Sequence, residues 1–171
     1  MSTNRLLYIV RHAKSSWDLE GIADIDRPLK LKGIRDAYEI ARRIKIDRAV
    51  PERIVSSPAN RALHTALIFL RVFEMKFTQL VIDERLYATG VGAIRKVISD
   101  QPIEVRNLMI FGHNPDFSDL VTILSGQPIE ELPTCGMCRI KFKADNWNNI
   151  SAEKLMETSF EFPRKEVNNE K

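Results

Sequence analysis

Leu6-Leu7-Tyr8-Ile9-Val10-Arg11-His12-Ala13-Lys14-Ser15 is the stretch on which the fold turns. Its first five residues are uncharged and rich in β-branched and aromatic side chains. They read as a strand buried on both faces, the pattern of a parallel sheet. The run stops at a guanidinium and an imidazole, with a hydroxyl close behind. Ligands of open α/β sheets bind beyond the carboxyl ends of the strands, so Arg11 and His12 stand where a site is expected. Taken alone, they read equally well as a chance Arg-His pair in a loop.

The pattern recurs further along the chain. Arg53-Ile54-Val55 leads into Ser56-Ser57-Pro58-Ala59-Asn60-Arg61. Ser57 suits an N-cap and Pro58 a first helical position. Arg61 then falls in the first turn of a helix, beside the N–H groups and positive dipole end that favour anions. Leu108-Met109-Ile110-Phe111 is another buried run; it ends in Gly112-His113-Asn114-Pro115, with Asp116 or Ser118 able to start the next helix. Three strand ends thus supply Arg11, His12, Arg61 and His113. Two guanidiniums and two imidazoles around one point suit a tetrahedral phosphoryl group.

The remaining periodicities predict a strand over 6–10, a polar loop through Asp24-Ile25-Asp26-Arg27-Pro28, a helix over 33–46, a strand over 53–56 and a helix over 58–75. A short strand over 79–82, a helix over 91–99, a strand over 107–112 and a helix over 116–125 follow, then strands near 137–143 and 156–161. Strands alternating with amphipathic helices predict an α/β fold, a three-layer sandwich with a mainly parallel central sheet and helices on both faces. The last two strands have no helix between them and are expected to be antiparallel at an edge. Within 58–75, Leu63, Leu67, Leu70 and Phe73 form the expected core stripe. One domain is expected over 1–164, with a polar, disordered tail over 165–171.

Composition narrows the function. A chain of 171 residues suits one core. A formal charge of +3 is too small to argue for a nucleic-acid partner, and no basic stripe interleaved with aromatics occurs. No apolar stretch reaches transmembrane length and no signal-peptide pattern opens the chain, so a cytoplasmic protein without membrane association is expected. Cys135 and Cys138 form a C-x-x-C, but no second pair exists and the histidines lie elsewhere. They sit at and beside an alternating strand, Met137 to Lys143, and read as structural thiols. There is no phosphate-binding loop ending in Lys-Ser/Thr, which argues against an NTPase. There is no i, i+4 histidine pair with a carboxylate, which argues against a metallohydrolase. Neither metal nor cofactor is expected.

The ordered set of motifs resembles the histidine phosphatase superfamily: Arg-His-Ala-x-Ser after the first strand, Ser-Ser-Pro-x-x-Arg-Ala after the second, Gly-His-Asn-Pro after a later one. Asp24-x-x-Arg27-Pro28-Leu29-x-x-x-Gly33 and the short chain are similar to its SixA-type phosphohistidine phosphatase branch. The resemblance implies a phosphoglycerate mutase-like fold and a metal-independent phosphatase. It assigns His12 as the nucleophile, forming a phosphohistidine intermediate that water hydrolyses, and Arg11, Arg61 and His113 as phosphate ligands. Ser15 and the backbone at Asn114 are candidate extra donors. The arginine charges are expected to depress the pKa of His12 and keep it neutral. Glu84, in Asp83-Glu84-Arg85-Leu86-Tyr87, best matches the general acid, with Asp83 second; a surface carboxylate paired with a neighbouring Arg is the competing reading.

The implied substrate is a protein phosphohistidine, whose nitrogen leaving group needs little acid assistance. The alternatives are a small phosphomonoester such as a sugar phosphate, or a non-catalytic module binding phosphate or a phosphoprotein. The segment between Glu84 and Val91 is too short for the insertion by which mutases enclose substrate. His64 reads as a packing or supporting residue, Trp147 as core, and Trp17 as either packing or rim. Asp24, Asp26 and Arg27 read as loop organisers, with Arg27 also in reach of a phosphoprotein. Lys30 departs from the branch, where a helix-capping Thr is usual.

Overall fold

Residues 4–46 and 50–164 are described in a computed structural model of the chain. The tail expected over 165–171 lies outside them. The elements are β1 (Asn4–Arg11), α1 (Leu31–Ile46), β2 (Arg53–Ser56), α2 (Asn60–Val72), β3 (Leu80–Ile82), α3 (Val91–Ser99), β4 (Asn107–Gly112), α4 (Asp116–Ser125), β5 (Met137–Lys143) and β6 (Leu155–Glu161). Short 3-10 turns fill several of the connections.

One sheet contains all six strands in the order β3-β2-β4-β1-β5-β6. The first four are mutually parallel; β5 is antiparallel to both β1 and β6, as the missing helix predicts. The unbroken apolar run of β1 has a direct cause. Leu7 and Ile9 enter a core shared with α3 and α4, while Tyr8 and Val10 enter a second core shared with α1 and α2. The sheet is covered on both faces, so both sides of the β1 run from Leu7 to Val10 are apolar. Cys138 belongs to the first core and Cys135 to the second, both as free thiols. Burial pushes the Cys138 thiol up to about 12 and raises that of Cys135 as well. Trp147 is a core residue whose Nε1–H donates to the Val105 carbonyl at 2.7 Å.

Helix α2 corrects two expectations. It begins at Asn60, after Ala59, and Ser57 does not cap it from the position before Pro58. Its buried residues are Arg61, Ala62, Thr65, Ala66, Ile68, Phe69 and Leu70, while Leu63 and Leu67 are only half-buried. The stripe is rotated because α2 packs against the sheet and also against α1, so two flanks are covered. Small residues, Ala66 on α2 with Ala37 and Ala41 on α1, share that core. Among the described residues no helix is long and apolar enough to cross a membrane.

The strand order places the site. β4 lies between β1 and β2, so the chain ends after β1, β2 and β4 are neighbours although far apart in sequence. α1, following β1, packs on one face, and α4, following β4, packs on the other. The connections from adjacent strands leave in opposite directions and open a crevice at their carboxyl ends.

Candidate active site

Backbone pairing continues past the strands and fixes the loops that carry the site. The His12 N–H donates to the Gly112 carbonyl at 3.0 Å and the Ser57 N–H to the Phe111 carbonyl at 2.9 Å. The Thr65 hydroxyl accepts from the Ala13 N–H at 3.0 Å and donates to the Arg61 carbonyl at 2.7 Å, tying the loop after β1 to α2. These contacts bring Arg11, His12, Arg61 and His113 to one wall of a cleft of about 740 Å³. The His12 and His113 ring centroids are 5.1 Å apart.

His12 has a fixed tautomer. Its Nδ1 is 2.8 Å from the Ala13 carbonyl, which can only accept, so Nδ1 carries the proton and Nε2 keeps its lone pair. Burial lowers the His12 pKa most; the Arg61, Arg11 and Arg27 charges add to it against the Ala13 bond, leaving it at about 4. The arginines expected to neutralise His12 are thus secondary to desolvation. His113 is lowered to about 3, by burial first and then by His12 and Arg61. Its Nε2 shares a 2.8 Å hydrogen bond with the Ser57 hydroxyl, which also accepts from the Ala59 N–H at 3.2 Å. Ser57 therefore orients His113.

Both arginines are already paired with carboxylates. Arg11 Nη1 donates to Glu131 Oε1 at 2.5 Å and to the Leu132 carbonyl at 2.8 Å. Arg61 donates to the Asp24 carbonyl at 2.5 Å and to Asp24 Oδ2 at 2.8 Å. Tyr87 Oη donates to the same Oδ2 at 2.8 Å, and its ring packs edge-on to His113. Arg27 donates to Asp24 Oδ1 at 2.9 Å. Burial of Asp24 raises its pKa, but the bonds from Tyr87, Arg27 and Arg61 outweigh it and hold the carboxyl far below the usual range. Asp24 is thus the anionic hub of the site, and Tyr87, Glu131 and Thr65 are supporting residues that local sequence patterning does not reveal.

Four buried side-chain atoms near this point have no partner: Arg11 Nε, Arg61 Nε, His113 Nδ1 and Asn114 Oδ1. A buried polar atom left unpaired costs about 1–3 kcal/mol, so such a cluster marks a place organised for something else. Ser15 lines the cleft, and its hydroxyl accepts from Arg27 at 2.7 Å. Asn114 also lines it, through a side chain that donates to the Leu132 carbonyl at 2.8 Å.

Glu84 is not brought into the cleft. It is exposed and is not among the lining residues. The cause is local: Asp83 accepts from the Arg85 N–H at 3.0 Å and pairs with its guanidinium at 2.7 Å, which sets a tight turn with Glu84 on the outside. Asp83 is the carboxylate committed to a neighbouring Arg. At Lys30 the backbone N–H donates to the Lys14 carbonyl at 2.9 Å and the ammonium pairs with Asp18. His64, half-buried on α2, is not among the lining residues either. No group of three or more His, Cys, Asp or Glu among the described residues is placed to hold a metal ion.

The two imidazoles predict the acid limb of stability. Both are lowered in the fold, to about 4 and about 3, from an ordinary 6.5. Below 6.5 the unfolded chain takes up protons that the folded chain refuses, so stability falls as pH falls through that window. Each contributes at most about 1.4 kcal/mol per pH unit. Urea midpoints measured from pH 7 to 4.5 are expected to fall steadily; a flat profile contradicts neutral burial of the pair.

Comparison with known proteins bears on the fold and the family. The SixA protein of Agrobacterium tumefaciens matches with a TM-score of 0.79 at 25% identity, over 93% of this chain and 98% of that one. The protein histidine phosphatase SixA complexed with tungstate matches at 0.73 and 19% identity, over 92% and 94%. A mycobacterial glucosyl-3-phosphoglycerate phosphatase matches at 0.62 and 14% identity, over 92% and 97%. These likenesses give an α/β fold of the phosphoglycerate mutase-like kind. The family model for branch 1 of the histidine phosphatase superfamily matches residues 7–106, from within β1 to the residue before β4, a span that includes Arg11, His12 and Arg61 but not His113. With more than half of its length covered by that model, the chain belongs to the histidine phosphatase superfamily.

Proposed function

We infer that the chain is a phosphatase that transfers a phosphoryl group to His12 and thence to water, acting on phosphohistidine in a protein. The observation that carries this reading is the His12 ring. Its Nδ1–H is tied to a carbonyl, its Nε2 lone pair stays unprotonated near neutral pH, and guanidiniums stand beside it. The Nε2 lone pair forms a bond to phosphorus while the bond from phosphorus to the leaving atom breaks, and the leaving atom takes the electron pair. Water then attacks phosphorus, phosphate departs, and His12 regains its lone pair. Arg11 and Arg61 offset the charge on the phosphoryl oxygens, which is most of what this reaction asks of a protein. His113 becomes a donor once a dianion raises its proton affinity.

Leaving-group chemistry favours a nitrogen-linked substrate. Among the described residues the carboxylates that line the cleft are Asp24, held ionised by three donors, and Asp36, paired with Lys32 at 2.9 Å, so neither is free to act as a strong acid. A phosphoimidazole protonated on its other nitrogen leaves as neutral imidazole and needs no such acid, whereas an alkoxide does. The exposed rim also admits a side chain presented by another protein. The test compares kcat/KM for a phosphohistidine protein with that for 3-phosphoglycerate and hexose phosphates. The protein is expected to be the better substrate; the opposite ranking assigns the site to small-molecule metabolism, and no turnover of any of them assigns it to phosphate binding alone. In the same assays Glu84→Gln is expected to change no substrate more than about twofold. A loss confined to alkyl phosphates, by about 10²–10⁴-fold, restores Glu84 as the acid.

A further inference from the structure

Trp17 is 76% exposed, yet its ring is anchored. The Arg27 guanidinium lies over it, 3.1 Å from the ring centroid. That guanidinium is in turn fixed by the Ser16 carbonyl at 2.9 Å, Asp24 Oδ1 at 2.9 Å and the Ser15 hydroxyl at 2.7 Å. Asp24 is bonded to Arg61. A run of directed contacts therefore leads from the indole through Arg27 and Asp24 to the phosphate-binding guanidinium. It holds the indole at a set position relative to His12. Trp17 and His12 line the same cleft. Since Arg27 covers one face of the ring, the exposure belongs to the other face and the edges. A cleft of about 740 Å³ leaves ample room beyond a phosphoryl group for what the phosphoryl group is attached to.

Resting on the phosphatase reading of this cleft, we propose that Trp17 is the platform for the leaving group: its free face stacks on a flat π system, an imidazole or aryl ring, joined to the phosphoryl group at the clamp. Stacking on an indole face selects flat over tetrahedral leaving groups without reading their hydrogen-bonding pattern. A cation stacked beneath the ring fixes its plane before the substrate arrives, so little ordering is left to be done on binding. The competing role is structural. If the indole only covers Arg27, its removal loosens Arg27 and Asp24 and slows every substrate alike.

Two substrates separate these roles, phosphoimidazole and phosphoramidate, which share a P–N bond and differ in whether the leaving group has a ring. Trp17→Ala is expected to lower kcat/KM for phosphoimidazole by about tenfold, within the range of a lost aromatic stack, and for phosphoramidate by less than about twofold. Trp17→Phe is expected to restore most of the loss. An equal loss on both substrates, or no loss on either, overturns the platform. A binding arm needs no turnover. Trp147 is buried in the core, so emission changes on adding a ligand report Trp17. Phenylphosphonate is expected to quench that emission and to bind about tenfold more tightly than methylphosphonate, with the preference gone in Trp17→Ala. Equal binding of the two phosphonates overturns the platform and leaves the phosphatase reading standing; failure of both to bind overturns both.

Discussion

His12→Ala is expected to abolish turnover, by roughly 10⁴-fold or more, as removal of a nucleophile does in enzymes that work through a covalent intermediate. The fold is expected to survive. The ring makes one hydrogen bond, to the next carbonyl in the chain, in a loop still held by the Ala13 N–H on the Thr65 hydroxyl and the His12 N–H on the Gly112 carbonyl. Loss of a neutral buried imidazole also removes a group that resists protonation, so the variant should lose less stability on acidification than the parent. Rapid quench of the parent with substrate should trap a phosphoenzyme that is acid-labile and base-stable, and it should be missing from the variant. A variant with near-parental activity, or a phosphoenzyme on another residue, ends the assignment of His12.

Gly33→Ala is expected to have the largest effect on stability, with a sign opposite to the usual one. A glycine inside a helix normally costs about 1 kcal/mol relative to alanine, so the exchange would ordinarily stabilise. Here α1 passes so close to the loop after β1 that a Cβ on Gly33 would lie 2.2 Å from the Lys14 carbonyl oxygen and 2.9 Å from the Lys14 nitrogen. Both obstacles are backbone atoms and neither can rotate away. The same carbonyl accepts the Lys30 N–H that starts the helix. Overpacking of this kind costs about 3 kcal/mol, or roughly 6–12 °C in Tm for a chain of this size. Because Lys14 is two residues from His12, kcat should fall as well. A thermal melt showing Gly33→Ala equal to or above the parent would contradict the close approach.

The Gly33 contact illustrates what the sequence carries and what it withholds. Runs such as Leu6 to Val10 and Leu108 to Phe111 announce central strands, because burial on both faces leaves no polar position. The ends of those runs announce Arg11, His12 and His113, because a strand's end fixes where the next residues stand. Arg61 was legible for a similar reason, through its place in the first turn of α2. The partners of these residues were not legible. Glu131 is 120 positions from Arg11, and Asp24 is 37 from Arg61. Such pairs meet only through tertiary packing, β5 lying beside β1 and the loop after β1 lying against α2, and no local period records that. The rotated stripe of α2 has the same origin, since a helix covered on two flanks hides small residues that a single-stripe reading assigns outward. Glu84 fails in the other direction. Its place after β3 suggests a role, but the Asp83–Arg85 turn, a contact of only two residues' span, decides where its side chain stands.

The two guanidinium–carboxylate pairs bear on how the site empties. On the phosphatase reading, a tetrahedral anion would meet the unpartnered Arg11 Nε and Arg61 Nε and compete with Glu131 for Arg11 Nη1 and with Asp24 for Arg61, so that what it gains at the engaged atoms is the difference between two charge-assisted bonds. The incumbents are unequal. Glu131 is anchored chiefly through Arg11, and its side chain is 61% exposed, so it gives way to water at small cost. Asp24 is clasped by Tyr87 and Arg27 too and stays within reach when displaced. On that same reading these carboxylates would compete to return once phosphate is severed from its carrier, and the pairs that preset the arginines for capture would also act as the ejector that clears the product.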